Sequence, residues 1–445
     1  MVCTIRLLLH RLVRGDRMTI HVVARGETLY FIAAAYGVAV EILARYNGLQ
    51  APYTLAVGQS ILILHPTEVY TVRPGDTIYS IAGKLGVTPL EVLQRNPNLG
   101  GRAALYPGQV LVIRLKEQPQ RQIFVNGYAY PFVNLAVLQE ILPYASALTP
   151  FTYGIRADGG LVTLEDTSLI AAAKEYQCLP LMHLSTLTEQ GSFSSERAMG
   201  LLRDSAQMER LAELVTAQVL ARGYQGVDLD FEYIQPEYAT AYGAFAGMLR
   251  ARLNALGFPL FVALVPKTSA DQPGLLYEGH DYRLLGENSD AVLVMTYEWG
   301  YTYGSAMAVA PLASVRRVLD YAVTEIAPEK ILMGFPNYAY DWTLPYRPGE
   351  SRARLISNED AVALAVRMGA EIQFDETAET PWFFYTAQDG TVHEVWFEDA
   401  RSAYAKFQLV NSYGLRGIGY WNFMRPFTQG FSLQQAMFTV ERSES

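Results

Sequence analysis

The sequence predicts an α/β protein: a (β/α)8 TIM barrel with a small α+β insertion, preceded by two βααβ repeats. Three observations support this prediction. A pattern that begins at residue 21 returns at residue 70. Short apolar runs then alternate with longer helical patterns from residue 123 to residue 421. One of those runs, residues 226–232, carries three alternating carboxylates, which indicates an active site at the end of a barrel strand.

Length and charge narrow the classes of function. The chain has 445 residues, which suits two or three domains, and a formal net charge of -9. Residues 1–115 contain 11 Lys and Arg against 6 Asp and Glu, and the rest contains 24 against 38. An acidic main body argues against a nucleic-acid partner, because binding phosphates needs a basic face. Two cysteines cannot form a disulfide framework.

The first residues give no clear targeting signal. The apolar patch within residues 1–17 is short and interrupted by Arg6, so it is not a convincing signal peptide. No run of about 20 uncharged apolar residues predicts a membrane span. Met18 stands directly before the first repeat. Residues 1–17 are therefore interpreted either as native sequence or as a non-native N-terminal extension.

The repeat has a local physical explanation in each copy. The segment HVVARGETLYFIA (21–33) matches YTVRPGDTIYSIA (70–82), and similar matches continue to residues 63 and 113. Thr28 and Thr77 stand where a helix N-cap is expected, before an apolar helical pattern. Gly37 and Gly86 follow that pattern and are expected to end the helix. A second helix and a final strand complete each βααβ unit.

These repeats resemble the lysin motif, or LysM, domain, with one domain at 18–65, a second at 69–115 and a linker at 116–122. The resemblance implies binding to N-acetylglucosamine polymers such as peptidoglycan or chitin. It places the sugar between the first-strand loop and the second-helix loop of each unit. The implied binding residues are Gly26, Thr28, Asn47, Gly75, Thr77 and Asn96. The alternative is a structural repeat that no longer binds glycan.

The barrel is predicted over residues 123–440. Near-continuous apolar strands that alternate with helices indicate a parallel sheet covered by helices. The predicted strands are 123–130, 148–155, 179–184, 226–232, 260–266, 291–297, 331–336 and 417–421. Residues 343–410, between the last two strands, contain their own helix and hairpin patterns and are predicted to form the insertion.

Asp228, Asp230 and Glu232 alternate along the fourth predicted strand, so all three point to one face. In a barrel strand that face points inward, where an unpaired charge costs several kcal/mol. Neighbouring like charges raise the pKa of at least one carboxyl. A carboxyl that stays protonated near neutral pH is what a general acid requires. Glu232 comes last, at the C-terminal mouth of the barrel, where barrel active sites lie.

The motif GVDLDFE resembles the D-x-x-D-x-D-x-E signature of glycoside hydrolase family 18, with Gln225 in place of its first aspartate. The resemblance implies that Glu232 is the proton donor and that Asp230, Asp228 and Tyr297 assist it. Candidate sugar-binding residues at other strand ends are Tyr128, Met295, Glu298 and Trp421. Glu298 either contacts sugar hydroxyls or pairs with a barrel arginine. His183 is expected to be a hydrogen-bonded barrel residue, and no metal or cofactor is expected.

The phrases NGYAYP, MTYEWGY and YWNFMRPF resemble the spore-envelope branch of that family. The resemblance implies a substrate-assisted, retaining N-acetylglucosaminidase that acts on peptidoglycan, with spore cortex as the expected substrate. It also implies a location at the spore coat, the cortex or the cell-wall surface. We expect a monomer. Two alternatives stay open, a chitinase that acts on chito-oligosaccharides and an inactive glycan-binding coat protein.

Overall fold

The computed structural model describes residues 12–14 and 18–442. Residues 1–11 and 15–17, which belong to the suggested N-terminal extension, lie outside the described residues. Leu12–Arg14 forms a short strand that pairs antiparallel with Thr19–Val22. The first repeat consists of Thr19–Val22, Leu29–Tyr36, Val40–Tyr46 and Ser60–Ile63.

The helix boundaries in the repeats follow from their capping residues. Thr28 caps the helix Leu29–Tyr36 by accepting a hydrogen bond from the Phe31 amide, and Gly37 ends it with a positive φ of 66°. In the second repeat Thr77 and Ser80 form a reciprocal capping box. The second repeat consists of Pro66–Thr71, Ile78–Leu85, Pro89–Arg95 and Val110–Leu115. The βααβ prediction is confirmed for both copies.

The barrel, within residues 121–421, has eight strand positions, and each pairs in parallel with its neighbours. The strands are Arg121–Ala129, Ala147–Pro150, Leu179–Pro180 with Met182–Ser185, Val227–Asp230, Leu260–Leu264, Ala291–Val294, Ile331–Pro336 and Gly417–Trp421. The third position closes the ring, because Leu179–Pro180 pairs with the second strand and Met182–Ser185 pairs with the fourth. The eighth strand pairs with the first. The TIM-barrel prediction is therefore confirmed.

Helices cover the outside of this barrel. They are Leu135–Ile141, Thr167–Glu175, Ser195–Leu202, Ser205–Arg222, Ala239–Asn254, Tyr282–Glu287, Leu312–Glu325, Ala400–Ser412 and Thr428–Met437. The longest begins where the Asp204 side chain accepts from two backbone amides and ends at Gly223, whose φ is 77°. A hairpin, Gly154–Ile155 with Leu161–Val162, follows the second strand, and Phe438–Val440 pairs with the start of the first.

The insertion is an antiparallel sheet with one helix, Asn358–Met368. Its strands are Ala339–Leu344, Arg354–Ile356, Gln373–Asp375, Thr380–Thr386 and Val392–Trp396. The sheet therefore begins a few residues before the predicted start at 343. The helix Ala400–Ser412, which the sequence analysis placed in the insertion, packs against the barrel helices Thr428–Met437 and Leu312–Glu325 and against the insertion strand Thr380–Thr386. It therefore connects the insertion to the helical layer of the barrel.

Both LysM-like modules are docked on the barrel through close backbone approaches. A Cβ atom on Gly58 would lie 1.9 Å from the Ile372 carbonyl oxygen of the insertion. A Cβ atom on Gly101 would lie 1.9 Å from the Gln139 carbonyl oxygen at the end of a barrel helix. The Tyr176 hydroxyl also donates to the Gly101 carbonyl at 2.9 Å. Such contacts exclude any larger residue, so the two glycines let the modules approach the barrel.

None of the described helices is by itself long and apolar enough to cross a bilayer. The pair Leu29–Tyr36 and Val40–Tyr46 reaches the required length and composition only jointly, across a bend of 105°.

Candidate active site

A cavity of about 790 Å³ lies at the C-terminal ends of the barrel strands, beside the end of the fourth strand. Asp230 and Glu232 line this cavity, and Asp228 lies fully buried beneath them. Strand alternation explains the arrangement, because residues 228, 230 and 232 share the inward face. The volume falls in the range of small-molecule sites. The structure therefore brings the predicted carboxylates together at the predicted end of the barrel.

Asp228 is held from the first strand. The Tyr128 hydroxyl donates to its Oδ2 at 2.6 Å, while its Oδ1 has no hydrogen-bond partner among the described residues. Burial raises the pKa of Asp228 to about 6, although His183 and the Tyr128 hydrogen bond oppose the shift. Burial thus outweighs two stabilising neighbours, because desolvation disfavours the charged form of a carboxyl.

Asp230 and Glu232 are buried carboxyls whose pKa values are raised. Burial raises the pKa of both carboxyls, and the charge of Asp230 raises the pKa of Glu232 further. Within the described part of the chain, Asp230 Oδ1 also has no hydrogen-bond partner. Two carboxyls in such an environment do not both ionise easily near neutral pH. The pair can therefore hold a proton that a leaving group could take.

His183 connects this pair to the neighbouring strand. Its Nδ1 lies 2.6 Å from Thr152 Oγ1, and its Nε2 lies 3.5 Å from Asp230 Oδ2. Burial lowers the pKa of His183 to about 4, so the ring is neutral at neutral pH. Thr152 Oγ1 has two other acceptors for its single hydroxyl proton, the Tyr153 carbonyl at 2.8 Å and Ser185 Oγ at 2.9 Å. This arrangement favours the Nδ1–H tautomer and turns the Nε2 lone pair toward Asp230.

An aromatic group forms one side of the cavity. The Trp421 ring lies 5.4 Å from the Tyr128 ring and 5.0 Å from the Phe151 ring, centroid to centroid. Tyr130 packs on Phe151 at 5.1 Å and also lines the cavity. Aromatic faces of this kind suit the C–H faces of sugar rings. Tyr128 and Trp421 were predicted from the sequence, and Phe151 and Tyr130 were not.

The sequence contains only a weak indication that Phe151 and Tyr130 belong to the site. Phe151 and Tyr130 directly follow the strands Ala147–Pro150 and Arg121–Ala129, at the ends where barrel sites form. An aromatic residue at a strand end is also ordinary core material, so the signal is not specific. The peptide bonds Phe151–Thr152 and Trp421–Asn422 are cis, which the sequence did not reveal.

The sixth strand contributes a second group of residues to the cavity. Met295, Tyr297 and Glu298 all line it, as do Trp299 and Tyr301. Burial and the nearby carboxylates raise the pKa of Tyr297 well above its usual range, so its hydroxyl remains a donor. Among the described residues, Glu298 is bonded by two tyrosine hydroxyls rather than by an arginine. They belong to Tyr338 and Tyr340, at the start of the insertion.

The residues that the LysM resemblance assigned to glycan binding differ in their structural environments. Gly26 and Gly75 occupy open turns with positive φ, and Thr28 and Thr77 are helix caps. Asn47 and Asn96 are buried, and their side chains hydrogen-bond to the backbone of the adjoining helix and strand. Both asparagines therefore brace the second loop of each module from inside. The aromatic residues exposed on the modules include Tyr30, Tyr79 and Tyr106.

Across residues 12–14 and 18–442, no group of three or more His, Cys, Asp or Glu side chains is placed to hold a metal ion. His183 is engaged by Thr152, as expected for a hydrogen-bonded barrel histidine.

Comparison with known families agrees with these features. Residues 190–425 match the model of glycosyl hydrolases family 18. Residues 21–64 and 70–114 each match the LysM domain. The first match covers more than half of the chain and includes the carboxylates, Tyr297 and Trp421.

Relatives match over nearly the whole length. The cortical fragment-lytic enzyme of Bacillus subtilis is 38% identical, over 95% of this chain and 99% of its own length. The putative sporulation-specific glycosylase YdhD of the same species is 33% identical, over 96% of this chain and 100% of its own length. The crystal structure of the spore cortex-lytic enzyme SleL from Bacillus megaterium matches with a TM-score of 0.81 and 35% sequence identity. The match covers 96% of this chain and 99% of that chain. The chain belongs to glycosyl hydrolases family 18 and carries two LysM domains before its catalytic barrel.

Proposed function

We propose that this glycoside hydrolase cleaves the β-1,4 bonds of N-acetylglucosamine in peptidoglycan, and that spore cortex is its substrate. The observation that carries the proposal is full-length similarity to a cortical fragment-lytic enzyme, modules included. The LysM domains supply binding to N-acetylglucosamine-containing glycan. The same similarity supports a location at the spore cortex or cell-wall surface. We further propose that the protein is a monomer.

The proposed reaction begins with proton transfer from Glu232 to the glycosidic oxygen. The leaving sugar departs with that proton as the acetamido oxygen of the bound sugar attacks its own anomeric carbon. Water activated by Glu232 then opens the oxazolinium ion and restores the original configuration. This substrate-assisted route differs from the usual pair of protein carboxylates. The raised pKa of Glu232 supports its role as the acid.

The other two carboxylates, Asp230 and Asp228, stabilise the acetamido group during the proposed reaction. Asp230 accepts from the acetamido N–H and stabilises the developing positive charge, and Asp228 shares the charge and proton beneath it. The Tyr297 hydroxyl donates to the acetamido carbonyl. Trp421, with Tyr128 behind it, supports the sugar ring. Only a 2-acetamido sugar supplies this nucleophile, so the mechanism restricts the class of substrate.

Two alternative functions differ in the residues that they need. A chitinase needs the same carboxylates, and only the shape of the cavity and its aromatic borders would distinguish it. An inactive coat lectin needs only the LysM domains. Glu232, Asp230 and Tyr297 are all present and line one cavity, which favours an enzyme over the lectin.

The test compares three substrates with purified protein. Release of new reducing ends is measured on spore cortex fragments, vegetative peptidoglycan and chitin oligomers, with Glu232→Gln in parallel. Preferential cleavage of cortex, lost in the variant, supports the proposal. Faster cleavage of chitin oligomers would replace it with the chitinase. Binding without cleavage of any substrate would favour the lectin.

A further inference from the structure

Glu232 lies beyond the end of the strand that leads to it. The fourth strand ends at Asp230, and its parallel pairing ends at Asp230 on one side and at Leu229 on the other. The peptide that joins Phe231 to Glu232 therefore lies outside the paired part of the strand. A side chain used in proton transfer has to be held within about 0.5 Å of its productive position. Groups other than the neighbouring strands must hold this peptide.

Two buried side chains bond to the backbone of Phe231. The Phe231 amide donates to the Tyr242 hydroxyl at 3.3 Å. The Phe231 carbonyl, which belongs to the peptide that enters Glu232, lies 2.9 Å from Nε2 of His280. Tyr242 and His280 are both fully buried, so water does not compete for these bonds. The orientation of the peptide before Glu232 depends on these two side chains.

His280 can hold this carbonyl in only one form. A carbonyl oxygen only accepts hydrogen bonds, so Nε2 must carry the proton. Burial lowers the pKa of His280 to about 4, and the ring is neutral with a single N–H at neutral pH. Nδ1 is then a bare lone pair, and it has no hydrogen-bond partner within the described chain. The one donor of this ring is therefore directed at the peptide of the candidate acid.

His280 is itself fixed by the fifth-strand loop, which we define as residues 265–281. The ammonium group of Lys267 is buried and donates to the His280 carbonyl at 3.0 Å. Gly279 lies so close to the fourth-strand segment that a Cβ atom there would be 2.1 Å from the Ile234 carbonyl oxygen. The loop therefore contacts the chain one residue before and two residues after Glu232.

The segment after Glu232 has a backbone conformation that needs support. Tyr233 has a φ of 56°, in the left-handed region that residues other than glycine rarely adopt. Such a conformation persists only where the surrounding structure holds it. Without the contacts of the fifth-strand loop, we expect this segment to relax and the Glu232 carboxyl to leave its position.

We propose that His280 is a positioning residue for Glu232. Its Nε2–H fixes the peptide between Phe231 and Glu232, so that the carboxyl projects into the catalytic cavity. Lys267 acts through His280 by holding its backbone. This role rests on the proposed function, in which Glu232 is the proton donor. His280 does not touch the substrate, since it is fully buried and is not among the residues that line the catalytic cavity.

Two amides at position 280 of the full chain test this role. In His280→Gln the side-chain nitrogen is as many bonds from the backbone as Nε2, so it can still donate to the Phe231 carbonyl. In His280→Asn it is one bond closer to the backbone and does not reach. We expect kcat on cortex fragments to fall about 10–100-fold in the asparagine variant, with KM within about twofold, and less than about threefold in the glutamine variant. His65→Asn, at a histidine that bonds to Glu117, should leave kcat unchanged.

A second measurement does not depend on activity. The ¹³C-labelled carboxyl of Glu232 is titrated in the unaltered chain and in both variants. Because burial raises the pKa of Glu232, a carboxyl displaced toward water should have a lower pKa in His280→Asn, and His280→Gln should keep the raised value. An unchanged kcat or an unchanged Glu232 pKa in His280→Asn would overturn the inference, as would equal losses of kcat in the two variants.

Lys267→Met offers a variant that leaves the histidine ring in place. It removes the hydrogen bonds that the ammonium donates to the carbonyls of His280 and Ala270, and it should lower kcat less than His280→Asn does. If His280→Asn does not fold, an unchanged kcat in Lys267→Met overturns the inference.

The outcome is separable from the proposed function. A chain that cuts no cortex, but whose Glu232 pKa falls in His280→Asn alone, keeps the positioning role and loses the substrate. A chain that cuts cortex equally well with His280→Asn loses only the positioning role.

Discussion

The side-chain oxygen of Asn47 accepts a hydrogen bond from Gln429 of the last barrel helix at 2.7 Å. Sequence comparison of the repeats assigned Asn47 to glycan binding, and the fold places it at the border between module and barrel. Its amide also donates to two carbonyls of its own module. Asn47 therefore holds the second loop of its module in shape and fixes that loop to the catalytic barrel.

The docked interface predicts a difference between two glycine substitutions. Gly58 and Gly26 share a positive φ, 83° and 84°, but only Gly58 has a neighbour, the Ile372 carbonyl, where a Cβ would lie. Gly58→Ala should therefore be more destabilising than Gly26→Ala, by about 1–3 kcal/mol. Chemical denaturation of the two variants measures the difference. Equal loss in both would mean that backbone conformation alone matters at Gly58.

Glu232→Gln should remove most of the activity. Without its acid the enzyme should lose about 10²–10⁴-fold in kcat, because the leaving oxygen receives no proton. Initial rates on cortex fragments measure the loss. The control is Glu237→Gln, an exposed glutamate five positions later on a surface turn, which should keep full activity. A fully active Glu232→Gln would remove this residue from the mechanism.

The carboxylate pair predicts a pH dependence. Because burial and Asp230 raise the pKa of Glu232, activity should persist above the ordinary pKa of glutamate and fall as pH rises through the raised value. Asp230→Asn removes the neighbouring charge, so the pKa of Glu232 should fall. Titration of the ¹³C-labelled Glu232 carboxyl measures both proteins. An unchanged or higher pKa in Asp230→Asn would contradict the coupling.

The buried Asp228 predicts how stability varies with pH. Its folded pKa is raised to about 6, so the folded state binds this proton more tightly than the unfolded state does. Its contribution to stability is therefore full below the unfolded pKa and is lost as pH rises toward about 6. Asp228→Asn should flatten that part of the curve. Unfolding free energies at several pH values between about 4 and 7 test it.

Thr152 is expected to set the tautomer of His183. Thr152→Val removes the acceptor for Nδ1–H and should shift the ring toward the Nε2–H form, which donates to Asp230. Thr152→Ser keeps the hydroxyl and serves as the control. Long-range ¹H–¹⁵N NMR of the histidine ring distinguishes the two tautomers. We expect a changed pattern in the valine variant alone, with a shifted pH–rate profile. An unchanged ¹⁵N pattern in Thr152→Val would exclude this role.

Sequence patterns predicted helices and strands well where the interactions that define them join residues close in sequence. The caps at Thr28 and Thr77 follow from side-chain oxygens that reach amides three residues away, and the structure contains both. The inward face of Asp228, Asp230 and Glu232 follows from strand alternation. The bounds of the insertion do not follow from a local pattern. The helix Ala400–Ser412 looks like any other amphipathic helix, and only its packing partners show that it contacts both the barrel helices and the insertion.

The sequence by itself determined the two repeats, the barrel class and the row of carboxylates, because each depends on the period of side chains along one element. Tertiary structure alone decided which distant residues meet. It brought Phe151 and Tyr130 to Trp421, turned His183 Nε2 toward Asp230, and placed Gln429 against Asn47, 382 positions earlier. Such contacts depend on how whole elements pack around the barrel. The residue pattern of a single strand or helix does not determine that packing.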